Sequence, residues 1–206
     1  MQIYPEITGR SFAASKAAGP VPFAVMKRRY TMEFSMLTTM RRSVRKYLSP
    51  APKSGIEAVL RKAQMAPSWK NMQTSRYYVV ESPELLDEFR VNALPEGNAK
   101  KSENAALIVS TFVKDEVGFI DGKPANDAGN CWGAYDLGLQ GAYLVLAASN
   151  EGYDTLIMGI RNEEFIREAL AIPENEQIMA VIAIGKRGEE PAMRPRKELS
   201  EIAKFF

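Results

Sequence analysis

The chain has 206 residues, 46% of them hydrophobic, and 27 basic residues against 25 acidic ones give a net charge of +2. This length suits one domain better than two, with a core large enough to need no cross-links. A single cysteine, Cys131, and no histidine exclude an internal disulfide, paired-cysteine and histidine-held metal sites, and Ser-His-Asp or Cys-His catalysis.

Any proton this protein donates must therefore come from another side chain, water or a cofactor. The near-balanced charge lacks the basic stripe of a nucleic-acid-binding domain. No run is apolar for long enough to span a membrane. Polar and charged residues interrupt Met1–Lys27, so no signal-peptide h-region forms and the expected location is the cytoplasm. No metal site is expected.

Residues 1–31 are rich in Ala, Gly, Pro and Lys, show no sustained period, and read as an irregular N-terminal extension to a domain spanning residues 32–206. Phe34, Leu37 and Met40 then mark one face of a short helix over 33–42. A basic run, Arg41-Arg42-Ser43-Val44-Arg45-Lys46-Tyr47, leaves it, and Ser49-Pro50-Ala51-Pro52 should stop regular structure. Ile56, Val59, Leu60 and Ala63 predict a helix over 53–65, closed by Ala66-Pro67-Ser68. A β-prone strand follows at 76–81. Ser82, Pro83 and Glu84 read as N-cap, first-turn proline and acidic first turn of a helix carrying Leu85, Leu86 and Phe89.

Ala105–Val113 is almost unbroken apolar sequence and predicts a central strand. Residues 114–130 read as a long polar loop of the kind that borders sites. The longest helical pattern runs from Ala128 to Ser149, and its many Ala and Gly residues allow another backbone to come close. After a short apolar stretch at 155–159, Asn162 should cap a helix through Leu170, with Glu163 and Glu164 in its first turn. Ile178–Ile184 predicts a last strand closed by Gly185. Period and spacing leave a three-layer α/β fold and an α+β sheet with helices packed round it both open.

Three segments have residue types suited to chemistry. Guanidinium forks match phosphate oxygens and a serine hydroxyl adds a donor. Arg41, Arg42, Ser43 and Arg45 can therefore cradle a terminal phosphate, or else form a solvated basic turn. A second basic patch, Arg194 and Arg196, lies among prolines. Pro67-Ser68-Trp69-Lys70-Asn71-Met72-Gln73 can aim donors and acceptors at a heterocycle edge, or be an ordinary loop. Gly159, after Leu156-Ile157-Met158, can admit a planar group to the backbone, or simply turn the chain. Cys131 reads as a buried small hydrophobe, and Asp136 as a structural hydrogen-bonding group rather than a catalytic acid.

Taken in order, these segments resemble the nitroreductase family of FMN enzymes. The landmarks are Arg41-Arg42-Ser43-Val44-Arg45-Lys46-Tyr47, Ala66–Gln73, Asp154–Gly159 with the helix to Leu170 and Ile172-Pro173, Ile182–Lys186, and Arg194-Pro195-Arg196-Lys197-Glu198-Leu199. The likeness covers about Glu33 to the C-terminus. It implies an α+β fold, with a mostly antiparallel central sheet flanked by helices, in an intertwined homodimer with FMN sites at the interface. It implies that Arg41, Ser43 and Arg45, assisted by Arg42 and completed by Arg194 and Arg196, hold the FMN phosphate and ribityl chain. Pro67, Ser68 and Asn71 would reach the flavin from the partner subunit, and Met158 and Gly159 would lie along its ring.

The activity implied is hydride transfer from NADH or NADPH through FMN to a small-molecule acceptor such as a nitroaromatic or quinone, with the flavin and no side chain doing the chemistry. Gln140 and Tyr143 stand where relatives often place a Gln-Asn pair, and Met158 stands where some carry a glutamate. A flavin-binding module without nicotinamide turnover, such as a sensor or scavenger, is the competing reading. A basic nucleic-acid-binding domain is a third, opposed by the charge balance.

Overall fold

The computed structural model describes residues 33–206, and the extension expected over residues 1–31 lies outside the described residues. In chain order the elements are α1 Phe34–Met40, β1 Tyr47–Pro50, α2 Lys53–Ala63, a 3-10 turn Trp69–Asn71, β2 Ser75–Val80, α3 Pro83–Ala93, α4 Glu96–Lys101, β3 Ala106–Val113, β4 Phe119–Ile120, β5 Lys123–Pro124, α5 Cys131–Asn150, β6 Asp154–Met158, α6 Glu163–Ala169, β7 Glu176–Arg187 and α7 Leu199–Ile202.

β7, at 12 residues, organises the main sheet. Its residues 176–184 pair antiparallel with β3, and β3 pairs antiparallel with β2. β6 pairs antiparallel with residues 181–185 on the other edge of β7. Gly185 pairs with both Asp154 of β6 and Pro50 of β1, so β1 continues the edge that β3 occupies. The fold is α+β, with every strand pair of the sheet antiparallel.

Strand alternation sends the sheet's side chains into two cores. Leu107, Val109, Val181 and Ala183 face one way and join Leu86 and Phe89 of α3 and Ile166 of α6. Ala106, Ile108, Ile182 and Ile184 face the other way and join Ile56, Val59 and Ala63 of α2 with Leu144, Ala147 and Ala148 of α5. Two predicted caps form as expected: Ser82 Oγ accepts from the Leu85 amide at 3.4 Å, and Asn162 Oδ1 from the Phe165 amide at 3.2 Å.

Four expectations need correction. Ser49-Pro50 does not stop regular structure but ends β1, at the strand terminus where a missing proline N–H is tolerated. Gly185 does not close β7; it sits within the strand, and a Cβ there would lie 2.5 Å from the Ser49 carbonyl oxygen. The polar stretch 114–130 contains the β4–β5 hairpin, turned by Asp121 and Gly122, both at positive φ. Cys131 is exposed rather than buried, because it is the first residue of α5 and faces out from it.

Candidate functional site

Four of the candidate residues follow α1 directly. Arg41, Arg42, Ser43 and Arg45 form an extended turn between α1 and β1. Val44 points inward and is fully buried, so its neighbours point outward. Tyr47, also buried, donates its hydroxyl to the Val44 carbonyl at 2.9 Å and braces the turn from beneath. Burial, with Asp154 and Glu189 nearby, pushes the Tyr47 phenol well above its ordinary range.

The other end of the chain returns to this turn. Arg41, Arg42, Ser43 and Arg45 line one cleft of about 360 Å³ together with Pro191–Arg196, which brings in Arg194 and Arg196. Two basic segments about 150 residues apart in sequence thus form one wall-to-wall basic surface. Arg45 donates to the Ser43 carbonyl at 3.1 Å, Arg42 to the Arg41 carbonyl at 2.9 Å, and Arg196 to the Arg194 carbonyl at 3.3 Å. Among the described residues, no carboxylate pairs with any of these five arginines. Glu189 bonds only the Arg45 backbone amide; five guanidinium groups gathered without an ion-pair partner repel one another, and a multivalent anion is the ligand that relieves the repulsion.

A second cavity, of about 460 Å³, lies between α5 and the sheet. It is lined mainly by small and apolar residues, among them Gly138, Gly141, Ile157, Gly159, Met179 and Ala180. A bulge helps to shape it. Ser110 pairs with Ala180 and Thr111 with Ile178, which leaves Met179 as the extra residue, and bulges re-aim side chains in this way. Tyr77 also lines the cavity, and burial pushes its phenol well up. The Tyr77 hydroxyl has no hydrogen-bond partner among the described residues.

The turn that walls the basic cleft is bonded to β6, which leads to the apolar cavity. The Val44 amide donates to the Thr155 carbonyl at 3.1 Å, and Ser43 bridges the same residue. From Thr155 the chain runs on to Ile157 and Gly159 in the apolar cavity, roughly 13 Å farther at strand rise. Gly159 lines the apolar cavity. Met158 does not: its side chain is buried in the core with Leu156 and Val181. Ile157 faces the cavity in its place. Period-2 alternation separates Met158 from Gly159, a signal present in the sequence.

Pro67 and Ser68 line a third, smaller cleft of about 220 Å³ with Trp69, Trp132, Tyr135, Asp136 and Leu139. Asn71 is exposed nearby in the chain and lines none of these three cavities. The loop is held in an uncommon shape. Lys70, Asn71 and Gln73 have φ of 46°, 59° and 52°, a left-handed conformation that costs a non-glycine residue on the order of 1 kcal/mol. Ser68 Oγ accepts the Gln73 amide at 3.1 Å, and the buried Asp136 accepts the Trp69 amide at 2.8 Å. Asp136 is the structural hydrogen-bonding group that its sequence context suggested, and it ties this loop to α5.

The comparisons with known proteins give the family and the fold. A model of the nitroreductase family matches residues 38–186. The chain belongs to the nitroreductase family. No curated protein matches it by sequence. Among solved structures, a nitroreductase family protein from Clostridium novyi NT is 28% identical, with a TM-score of 0.65 over 79% of this chain and 89% of that one. An oxidoreductase containing FMN is also 28% identical, with a TM-score of 0.64 over 79% of this chain and 81% of that one. A nitroreductase from Exiguobacterium sibiricum 255-15 in complex with FMN shares the fold at a TM-score of 0.73, covering 85% of this chain and 98% of that one, at 22% identity. Among the described residues no helix is long and apolar enough to cross a membrane, and no cluster of acidic or cysteine residues is set to hold a metal ion.

Proposed function

We propose that this nitroreductase-family chain is an FMN-dependent oxidoreductase that takes reducing equivalents from NADH or NADPH and delivers them to a small organic acceptor such as a nitroaromatic or a quinone. The observation that carries the reading is the cleft of five arginines and Ser43, assembled from two distant segments, with no guanidinium of the five in an ion pair among the described residues. Its donors fit a phosphate dianion, and the apolar cavity reached along β6 fits a planar ring. When bound, FMN supplies the redox chemistry, accepting a hydride from the nicotinamide and passing it to the acceptor.

The chain's own residues bind and orient. Arg41, Arg42, Arg45, Arg194 and Arg196 neutralise the phosphate, and Ser43 adds a hydroxyl donor. Ile157 and Gly159 offer the ring an apolar surface, and Tyr77 brings a buried phenol with an unused donor to the same cavity. With no histidine in the chain, a proton for the acceptor comes from another side chain, water or the cofactor.

The same reading makes the protein a homodimer in which Pro67, Ser68 and Asn71 complete the partner's site. Several features support it. Gly138 and Gly141 of α5 have open space where a Cβ would stand, so nothing within the described chain calls for their small size. α1 buries none of its residues, and Phe205 and Phe206 at the C-terminus are fully exposed. In this reading residues 1–31 are a dispensable extension, and the protein acts in the cytoplasm. The test is steady-state oxidation of NADH and NADPH by the purified protein, with and without a quinone. Turnover that rises with the acceptor supports the oxidoreductase, and bound FMN without turnover favours a flavin sensor or scavenger.

A further inference from the structure

The turn that leaves β7 makes a contact at each of four consecutive residues. Arg187 forks onto Asp154 of β6 at 2.8 and 2.7 Å. Gly188 donates its amide to the Lys46 carbonyl at 2.8 Å. Glu189 Oε1 accepts the Arg45 amide at 2.6 Å. Glu190 returns to Arg187 at 2.7 Å. The next residue, Pro191, already lines the basic cleft. This clasp is what holds the C-terminal arginines opposite the N-terminal ones.

Glu189 is the unexpected member. A carboxylate beside a cleft built for a phosphate repels the ligand, so on charge alone it weakens binding. Its oxygen engages the backbone of Arg45, however, and not a guanidinium. The contact fixes the main chain of Arg45 while leaving its side chain to face the cleft with Ser43. Beside the Gly188–Lys46 bond, Glu189 ties the segment carrying Arg194 and Arg196 to the segment carrying Arg41–Arg45.

We propose that Glu189 is a positioning residue for the anion cleft, acting through the Arg45 amide, and that it raises affinity for a phosphorylated flavin in spite of its charge. The proposal rests on the reading of the cleft as the FMN phosphate site.

The experiment titrates FMN and riboflavin, by quenching of flavin fluorescence, into the full-length protein freed of flavin, as wild type, E189A and E189Q. Riboflavin lacks the phosphate, so its affinity reports general loosening of the fold, and the ratio of the two affinities reports the clasp. E189A loses the acceptor oxygen and is expected to weaken FMN about tenfold while leaving riboflavin within about twofold, the size of one charge-assisted hydrogen bond. E189Q keeps an acceptor oxygen and sheds the charge, and is expected to bind FMN at least as tightly as wild type. FMN bound equally well or better by E189A overturns the proposal. So does E189Q weakened as much as E189A, because the charge and not the acceptor oxygen is then what counts. If E189A fails to fold, E189Q decides alone: FMN weakened about tenfold with riboflavin unchanged overturns the proposal. Failure of the wild type itself to bind FMN more tightly than riboflavin removes the underlying phosphate reading, and is seen without either variant.

Discussion

The amide of Val44 donates to the carbonyl of Thr155 at 3.1 Å, joining the turn that carries Arg42, Ser43 and Arg45 to the strand that ends beside the apolar cavity. Through this one bond the charged and apolar parts of the site share a rigid element. In the proposed FMN reading, the phosphate and the ring of one ligand are held by these two parts.

The first prediction concerns the cleft's charges. Arg45→Ala and Arg196→Ala should each weaken FMN by roughly 2 kcal/mol, about thirtyfold in affinity, as expected for loss of one charge-assisted hydrogen bond to the phosphate. Fluorescence titration measures it. Unchanged affinity in both variants would mean the phosphate lies elsewhere.

Shared sites make a second prediction. Arg45→Ala and Asn71→Asp proteins should each be nearly inactive alone. Mixed and re-dimerised, they should regain activity, because a symmetric dimer then contains one doubly damaged site and one intact site. No recovery in verified heterodimers would show that each site is built within one subunit.

A third prediction tests the sheet. Gly185→Ala would place a Cβ 2.5 Å from the Ser49 carbonyl oxygen, a backbone atom with little room to move, so the substitution should cost roughly 1–3 kcal/mol. Urea unfolding of the two proteins, compared by midpoint, measures the loss. Equal midpoints would show that β1 is free to shift away from β7.

Alkaline pH gives a fourth. Burial raises the phenols of Tyr47 and Tyr77 in the folded protein, while the unfolded chain titrates them near an ordinary value of about 10. Above that pH the unfolded state binds fewer protons than the native one, so stability present below about pH 10 declines as pH rises, by up to about 1.4 kcal/mol per pH unit for each tyrosine. Tyr77→Phe removes a hydroxyl with no described partner and should flatten the slope of stability against pH by about one proton. An unchanged slope would place the Tyr77 hydroxyl in water.

Much of this architecture is legible in the sequence where local pattern and tertiary role coincide. Ala105–Val113 reads as a central strand and Ile178–Ile184 as a strand because both are largely buried and apolar, and Ser82 and Asn162 announce helices because capping is local. β1 escapes because its pairing with β7 is long-range and its last residue is a proline. α4 escapes because it has only 6 residues, Gly97 among them, and none is buried. The Asp121-Gly122 turn carried a hairpin signal that its two-residue strands made easy to pass over.

The site divides in the same way. The arginines stand out by charge, whereas the Asp136 contact to Trp69 and the Glu189 contact to Arg45 join residues 67 and 144 positions apart. No local pattern encodes such contacts.

The most direct test of the central claim is the chromophore itself. Purified full-length protein, saturated with FMN and passed over a desalting column, should emerge yellow, and heating should release stoichiometric flavin identifiable as FMN by chromatography and mass. Protein that emerges colourless, or that retains riboflavin as well as FMN, would contradict an FMN site anchored by the arginine cleft.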